Sequence, residues 1–214
     1  GDLMNFYLGA FFLPQALSQG ELGAVEPLMR LTALGALPLT VTGIVGAKYI
    51  STYLATGAEG KLKHLLRDLS LLAFGAAAVF AVVIVVLFKG ITLRLGIAQP
   101  YLLPGVIGMA ILACWQPMLS IVFQGALRFK ANVITSLLGT GARLLLALVL
   151  VPIFSLPGYF FASLLGGLLA IGLGLWSLRD LFAASIDRES YYAGLRAMLA
   201  FAAPTAIFLG AVAF

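Results

Sequence analysis

The chain has 214 residues, of which 62% are hydrophobic and 10% are charged, whereas soluble domains have about 45–50% apolar and about 25% charged residues. So few polar side chains cannot cover the surface of a soluble globule, which excludes a water-soluble protein and indicates an integral membrane protein. The net charge of +5 comes from lysines and arginines in short clusters between apolar runs. That arrangement is typical of membrane orientation and predicts no nucleic-acid partner.

The apolar runs have the length of membrane-spanning helices, which need about 20 residues each. The first run, residues 3–18, lacks the basic segment and cleavage site of a signal peptide, so we interpret it as a helix that is entered part-way. The second run covers residues 25–50, and the third covers residues 68–88. A connection rich in turn-forming residues follows over residues 90–100.

The second half of the chain holds three further apolar runs. The fourth run, residues 101–127, and the fifth run, residues 131–151, are separated by a short basic turn. Pro152 and Pro157 predict a tight hairpin before the sixth run, which covers residues 159–178. The runs show no alternation with period two, so each of them predicts a helix.

A polar segment and a last apolar run complete the chain. Residues 179–196 mix charged and large apolar side chains, which is typical of an amphipathic segment at a membrane surface. We therefore expect an all-α, polytopic transmembrane helix bundle with three parts. Residues 1–178 form a six-helix lobe whose first helix is truncated, residues 179–196 form a cytoplasmic interfacial linker, and residues 197–214 form the truncated first helix of a second lobe.

The loop charges predict the orientation of the helices, because cytoplasmic loops retain lysine and arginine. The connections after the second, fourth and sixth runs hold most of the basic residues: Lys48, Lys61, Lys63, Arg67, Arg128, Lys130, Arg179, Arg188 and Arg196. The opposite side holds only Lys89 and Arg94. We expect the even-numbered helices to end in the cytoplasm.

The sequence shows no constellation of catalytic residues. His64 is the only histidine and lies in a basic loop, without a second ligand or a nucleophile at a useful spacing. Cys114 is the only cysteine and lies inside an apolar run, so it forms no intrachain disulfide and no cysteine-based metal site. We expect a protein that is not an enzyme and that has no cofactor and no metal.

Arg143 is the charge placed deepest within an apolar run. It lies twelve residues after Ala131, or about 18 Å into the helix, near the middle of a bilayer. A charge at that depth costs about 2.5–3.5 kcal/mol on insertion scales, so it faces a water-filled cavity or a partner. The sequence leaves open a second arrangement, in which carbonyls and hydroxyls such as those of Ser136 and Thr140 hold the guanidinium inside the bundle.

Three other charged residues lie at the ends of apolar runs. Glu26 and Arg30 are four residues apart and predict an ion pair on one face of a helix. Lys48 lies where the second run meets the cytoplasm, either as a membrane anchor or as a contact for an anionic headgroup.

Several strings of residues are similar to those of a known transporter family. They are residues 124–132 (Gln-Gly-Ala-Leu-Arg-Phe-Lys-Ala-Asn), Ser136-Leu137-Leu138, residues 143–148, Glu21-Leu22-Gly23, residues 45–50 and Ala203-Pro204-Thr205. In their order along the chain they resemble the polysaccharide flippases of the Wzx type, within the multidrug/oligosaccharidyl-lipid/polysaccharide exporter superfamily. The resemblance covers essentially the whole chain and implies two lobes of six helices, with this chain holding the first lobe.

The resemblance also implies a function and the roles of three residues. Family members move an oligosaccharide linked to a polyprenyl pyrophosphate from the cytoplasmic to the outer leaflet of the cytoplasmic membrane, for cell-surface polysaccharide biosynthesis. The implied partners are this lipid-linked oligosaccharide, membrane lipids and a second lobe of the same chain. Arg143 would contact the anion in the cavity, Lys48 would lie at the cytoplasmic mouth, and Arg30 would lie on the outer side.

Two other functions stay open at this point. A drug/cation antiporter of the same superfamily would use buried carboxylates, and Asp2 is the only residue in position to serve. An accessory membrane subunit of a polysaccharide assembly complex would transport nothing, and a buried basic cavity would argue against it.

Overall fold

The computed structural model describes residues 2–34, 37–95 and 103–183, and within these ranges all regular secondary structure is helical. The helices are α1 Asp2–Tyr7, a π-helix Leu8–Phe12, α2 Leu13–Ala16, α3 Gln19–Leu34, α4 Leu37–Ala55, α5 Glu59–Leu95, α6 Leu103–Gly125, α7 Phe129–Ser177 and α8 Arg179–Ala183. The predicted all-α fold is confirmed for these ranges. Three of these helices, α5, α6 and α7, include segments that are long and apolar enough to cross a membrane.

The N-terminal run forms a helix that contains one π-helical turn, and it ends at a capped turn. Leu17 adopts an extended conformation, and Ser18 with Glu21 forms a capping box at the start of α3. In this box the Ser18 amide donates to Glu21 Oε2 at 3.1 Å, and the Glu21 amide donates to Ser18 Oγ at 3.4 Å. The box explains why α3 begins at Gln19, six residues before the position that hydropathy predicts.

α7 is broken near its middle, which gives it two arms. Ser155 has a positive φ of 54° and lies between the two prolines, Pro152 and Pro157. A Cβ placed on Gly139 of the first arm would lie 2.6 Å from Ala170 Cβ of the second arm, so the arms fold back onto each other as an antiparallel hairpin. The predicted hairpin between the fifth and sixth helices is confirmed, and residues 129–154 and 156–177 are its arms.

α4, α6 and the second arm of α7 end at the same end of the bundle. A Cβ on Gly125 near the end of α6 would lie 2.6 Å from Ile50 Cβ of α4, and Leu62 and Leu178 belong to the same hydrophobic cluster as Ile50. We call the end formed by the 55–59 and 125–129 turns and Leu178 the basic end. The connections after the second, fourth and sixth apolar runs therefore lie at one end of the bundle, and the cytoplasmic location of this end stays a prediction.

Two hydrophobic clusters hold the bundle together. Leu28, Ile84 and Phe160 are buried in the cluster away from the basic end, whereas Leu66 and Phe123 are buried in the cluster at the basic end. The two clusters fix the ends of α5 and α6 relative to α7.

Both bounds of the third predicted helix differ from the structure. α5 extends over Glu59–Leu95 instead of residues 68–88, because a single glycine such as Gly90 costs a helix only about 1 kcal/mol. The predicted linker is described only as far as α8, and the rest of it, together with the predicted seventh helix, lies outside the described residues.

An ion pair ties the turn before α7 to α8. The Arg128 guanidinium donates to both carboxylate oxygens of Asp180, and its Nη1 also donates to the Ser177 carbonyl at 2.8 Å. The hydrogen bonds from Arg128 to the Asp180 carboxylate, followed by the Coulombic attraction of Arg128, hold the pKa of Asp180 below its usual value. The side chains keep 34% and 56% of their exposure, so the pair contributes about 1 kcal/mol or less.

Acidification is expected to remove this contribution. A carboxylate with a lowered pKa in the folded state stabilises the fold above its unfolded pKa of about 3.9, and the stabilisation is lost as the pH falls through the folded pKa. We expect the thermal unfolding midpoint of the purified chain to fall by a few degrees or less between pH 6 and pH 3. The Asp180→Asn variant should show a smaller fall over this range, and equal falls in the two proteins would contradict the prediction.

Candidate cavity for an anionic ligand

A cavity of about 530 Å³ lies between α6 and the two arms of α7, with α1 and α3 closing part of its wall. Many of its lining side chains carry hydroxyl, amide or guanidinium groups. These are Asn5, Thr32, Gln116, Ser120, Asn132, Thr135, Ser136, Thr140, Arg143 and Ser163. The cavity wall therefore mixes polar groups with apolar side chains, although the helices that form it are mostly apolar.

The spacing of polar residues on the helices explains this lining. In the first arm of α7, Asn132, Ser136, Thr140 and Arg143 follow one another at intervals of three or four residues, which places them on one helix face. Gln116 and Ser120 on α6 and small residues on the second arm of α7 complete the wall, together with apolar side chains of α6. One polar stripe thus faces the cavity in an otherwise apolar arm.

Arg143 lies near the middle of the first arm of α7, and part of its guanidinium has no hydrogen-bond partner. It is about 21 Å along the helix from Phe129 and contacts the second arm, because a Cβ on Gly166 would lie 2.7 Å from Arg143 Cβ. Its Nη2 donates to the Asn5 side-chain oxygen, whereas its Nε is buried without a hydrogen-bond partner. The carbonyls and hydroxyls of the first arm therefore do not satisfy the guanidinium, in contrast to the second arrangement that the sequence left open.

The cavity also holds the three polar side chains that are almost fully buried in the described ranges. Thr32 and Thr135 each donate to a carbonyl of their own helix, at 2.8 and 2.6 Å. Ser163 is 3% exposed, and its Oγ has no hydrogen-bond partner. One hydroxyl in the wall is thus left available to a ligand.

The charge of the lining favours an anion. Arg143 is the only ionisable side chain among the described lining residues, and no aspartate or glutamate is found with it. The described residues also contain no group of three or more histidine, cysteine or acidic side chains that could hold a metal ion. The cavity thus offers one positive charge and several neutral donors and acceptors, which suits a phosphate joined to hydroxyl-rich groups.

The structure separates the three candidate residues of the sequence. Arg143 lines the cavity, whereas Lys48 and Arg30 do not. The Lys48 side chain is exposed on α4, and Arg30 forms the predicted ion pair with Glu26 at 2.7 Å on an exposed face of α3. The side chain of Asp2 lies outside what the structure describes.

Several lining residues were missed in the sequence. Asn132 had a signal, since it continues the stripe that includes Ser136 and Arg143. Asn5 and Ser163 gave no signal, because their place in the wall depends on which helices pack together.

No family model, no curated protein and no solved structure matches the chain, so the transporter resemblance remains an expectation carried by the residues themselves.

Proposed function

We propose that the protein is a multipass transporter of the cytoplasmic membrane that moves oligosaccharides linked to a polyprenyl pyrophosphate from one leaflet to the other. The observation that carries the proposal is the cavity with one arginine, several hydroxyl and amide side chains and no described carboxylate. The resemblance of the sequence to polysaccharide flippases supports the same function. That resemblance also implies a role in cell-surface polysaccharide biosynthesis.

The outer faces of the helices support a position within lipid. Val79 and Val86 on α5 are 66% and 71% exposed, and Leu145 on α7 is 66% exposed. A soluble protein would place such side chains in its core and polar ones outside. Here polar groups line the cavity and apolar groups face outward, which is the arrangement that hydrocarbon favours.

The substrate class follows from the cost of crossing a bilayer. A charged pyrophosphate with sugars cannot cross hydrocarbon unless other polar groups replace its hydration shell, whereas the polyprenyl tail is soluble in lipid. Arg143 supplies charge and directed donors to a phosphate oxygen, and the amides and hydroxyls of the wall replace water around sugar hydroxyls. The lipid tail remains outside the cavity.

The two alternatives have less support. A cation antiporter needs a carboxylate for its substrate or its coupling ion, and the described lining has none. An accessory subunit needs no cavity with polar groups, so the arginine in the cavity wall would have no role in it.

Ligand binding by the purified chain in lipid nanodiscs tests the proposal. We expect the chain to bind a short polyprenyl-pyrophosphate disaccharide and not the matching uncharged polyprenol, because only the first fits the cation in the cavity. Native mass spectrometry measures both, with tetraphenylphosphonium as the cationic probe. Preference for tetraphenylphosphonium, or equal binding of the uncharged polyprenol, would contradict the proposed function.

A further inference from the structure

We infer that Ser163 is a second donor to the phosphate, so that Arg143 and Ser163 together form one subsite for a phosphate or pyrophosphate oxyanion. The inference rests on the proposed function, and it assigns a specificity-determining role to a residue that the sequence did not single out. The ligand chemistry is shared by a lipid-linked pyrophosphate and by pyrophosphate free in solution.

The burial of Ser163 is the first step of the argument. Its side chain is 3% exposed, it lines the cavity, and its Oγ lacks a hydrogen-bond partner. Buried hydroxyls are nearly always satisfied, because an unsatisfied one costs free energy. The two other buried hydroxyls of the cavity, Thr32 and Thr135, are satisfied within their own helices, so Ser163 differs from its neighbours in the same wall.

The position of Ser163 relative to Arg143 is the second step. Gly166 contacts the backbone of Arg143, since a Cβ there would lie 3.0 Å from Arg143 Cα. Ser163 precedes Gly166 by three residues, so the two lie on the same helix face one turn apart. Among the side chains that the structure describes, Arg143 Nε is the other buried polar atom without a partner. Both unpartnered donors thus belong to one cavity and to neighbouring turns of the two arms.

The chemistry of the two donors is the third step. A guanidinium attracts any anion, whereas a buried hydroxyl adds a directed hydrogen bond that only an acceptor in the correct position can use. A phosphate has oxygens on several sides and can accept from both donors at once. The pair therefore favours a phosphate over a monatomic anion of the same charge.

Substitution of Ser163 tests the inference. In the full chain in nanodiscs, we expect Ser163→Ala to weaken the binding of inorganic pyrophosphate and of farnesyl pyrophosphate about tenfold, or by about 1.4 kcal/mol, because one hydrogen bond to a charged group is lost. Ser163→Cys should have an intermediate affinity, since a thiol is a weaker donor. The matched control is Ser70→Ala on α5, which removes a hydroxyl that already donates to the Leu66 carbonyl at 2.8 Å and lies outside the cavity lining. It should change the affinity less than twofold.

The readouts separate a binding role from a structural one. The thermal midpoint of Ser163→Ala should equal or exceed that of the wild type, because the serine hydroxyl has no partner to lose. Chloride should compete with pyrophosphate for this variant at least as well as for the wild type. If the chain binds farnesyl pyrophosphate but not inorganic pyrophosphate, the subsite is specific for the lipid-linked form. If the chain binds both, the subsite recognises the headgroup that they share.

Two results would overturn the inference, and they have different meanings. Unchanged affinity in Ser163→Ala, together with lost affinity in Arg143→Ala, removes Ser163 from the subsite and leaves the proposed function intact. Unchanged affinity in both variants, or no binding by the wild type, removes the proposed function as well.

Discussion

The Arg143→Ala variant is expected to lose glycan export while its insertion into the membrane is retained or improved. Removal of the guanidinium takes the only described charge out of the cavity wall, and it also removes an insertion cost of about 2.5–3.5 kcal/mol. Arg143→Lys should retain part of the activity, because an ammonium still attracts phosphate but lacks the planar fork of donors. Export is measured in cells whose surface glycan depends on a plasmid-borne copy of the protein, and it is normalised to folded protein.

A matched control for this experiment is Arg30→Ala. Arg30 is also a cation, but it lies on an exposed face of α3, outside the cavity, and pairs with Glu26. Its replacement should change normalised export less than twofold. Near-normal normalised export by Arg143→Ala, together with poor folding, would show that Arg143 serves the packing of the bundle instead of the ligand.

The fold was predictable where a local signal decides the structure. Pro152 and Pro157 in an uncharged run predict a hairpin, and the structure places the break between them at Ser155. The residue that adopts the positive φ was not predictable, because serine has no preference for that conformation and the packing of the two arms selects it. The start of α3 was misplaced because hydropathy ignores the capping box of Ser18 and Glu21.

The candidate site was predictable only along single helices. Arg143 stands out because burial of a charge in an apolar run is costly, and its stripe with Ser136 and Thr140 follows from helix periodicity. The contribution of Asn5 and Ser163 depends on contacts between distant parts of the chain. Lys48 is exposed on α4 and is not among the lining residues, so its contact with a headgroup stays a prediction.

The Gly166→Ala variant is expected to destabilise the hairpin of α7 and to disturb the cavity. A Cβ at this position would lie 2.7 Å from Arg143 Cβ and 2.8 Å from the Gly139 carbonyl oxygen. The backbone atoms of the first arm cannot move aside as the end of a flexible side chain would, so the arms must separate. Overpacking of this kind costs about 1–3 kcal/mol, and the displacement of Arg143 should lower normalised export as well.

Gly172→Ala is the matched control, because Gly172 lies in the same arm with nothing within 4 Å of its added Cβ. Alanine is a better helix former than glycine, so this variant should gain up to about 1 kcal/mol of stability. The two substitutions add the same methyl group to the same helix and are expected to act in opposite directions. Thermal unfolding of the purified variants in one detergent measures both changes. A loss of stability in Gly172→Ala equal to that in Gly166→Ala would contradict the close contact between the arms, because the effect would then come from the loss of glycine itself.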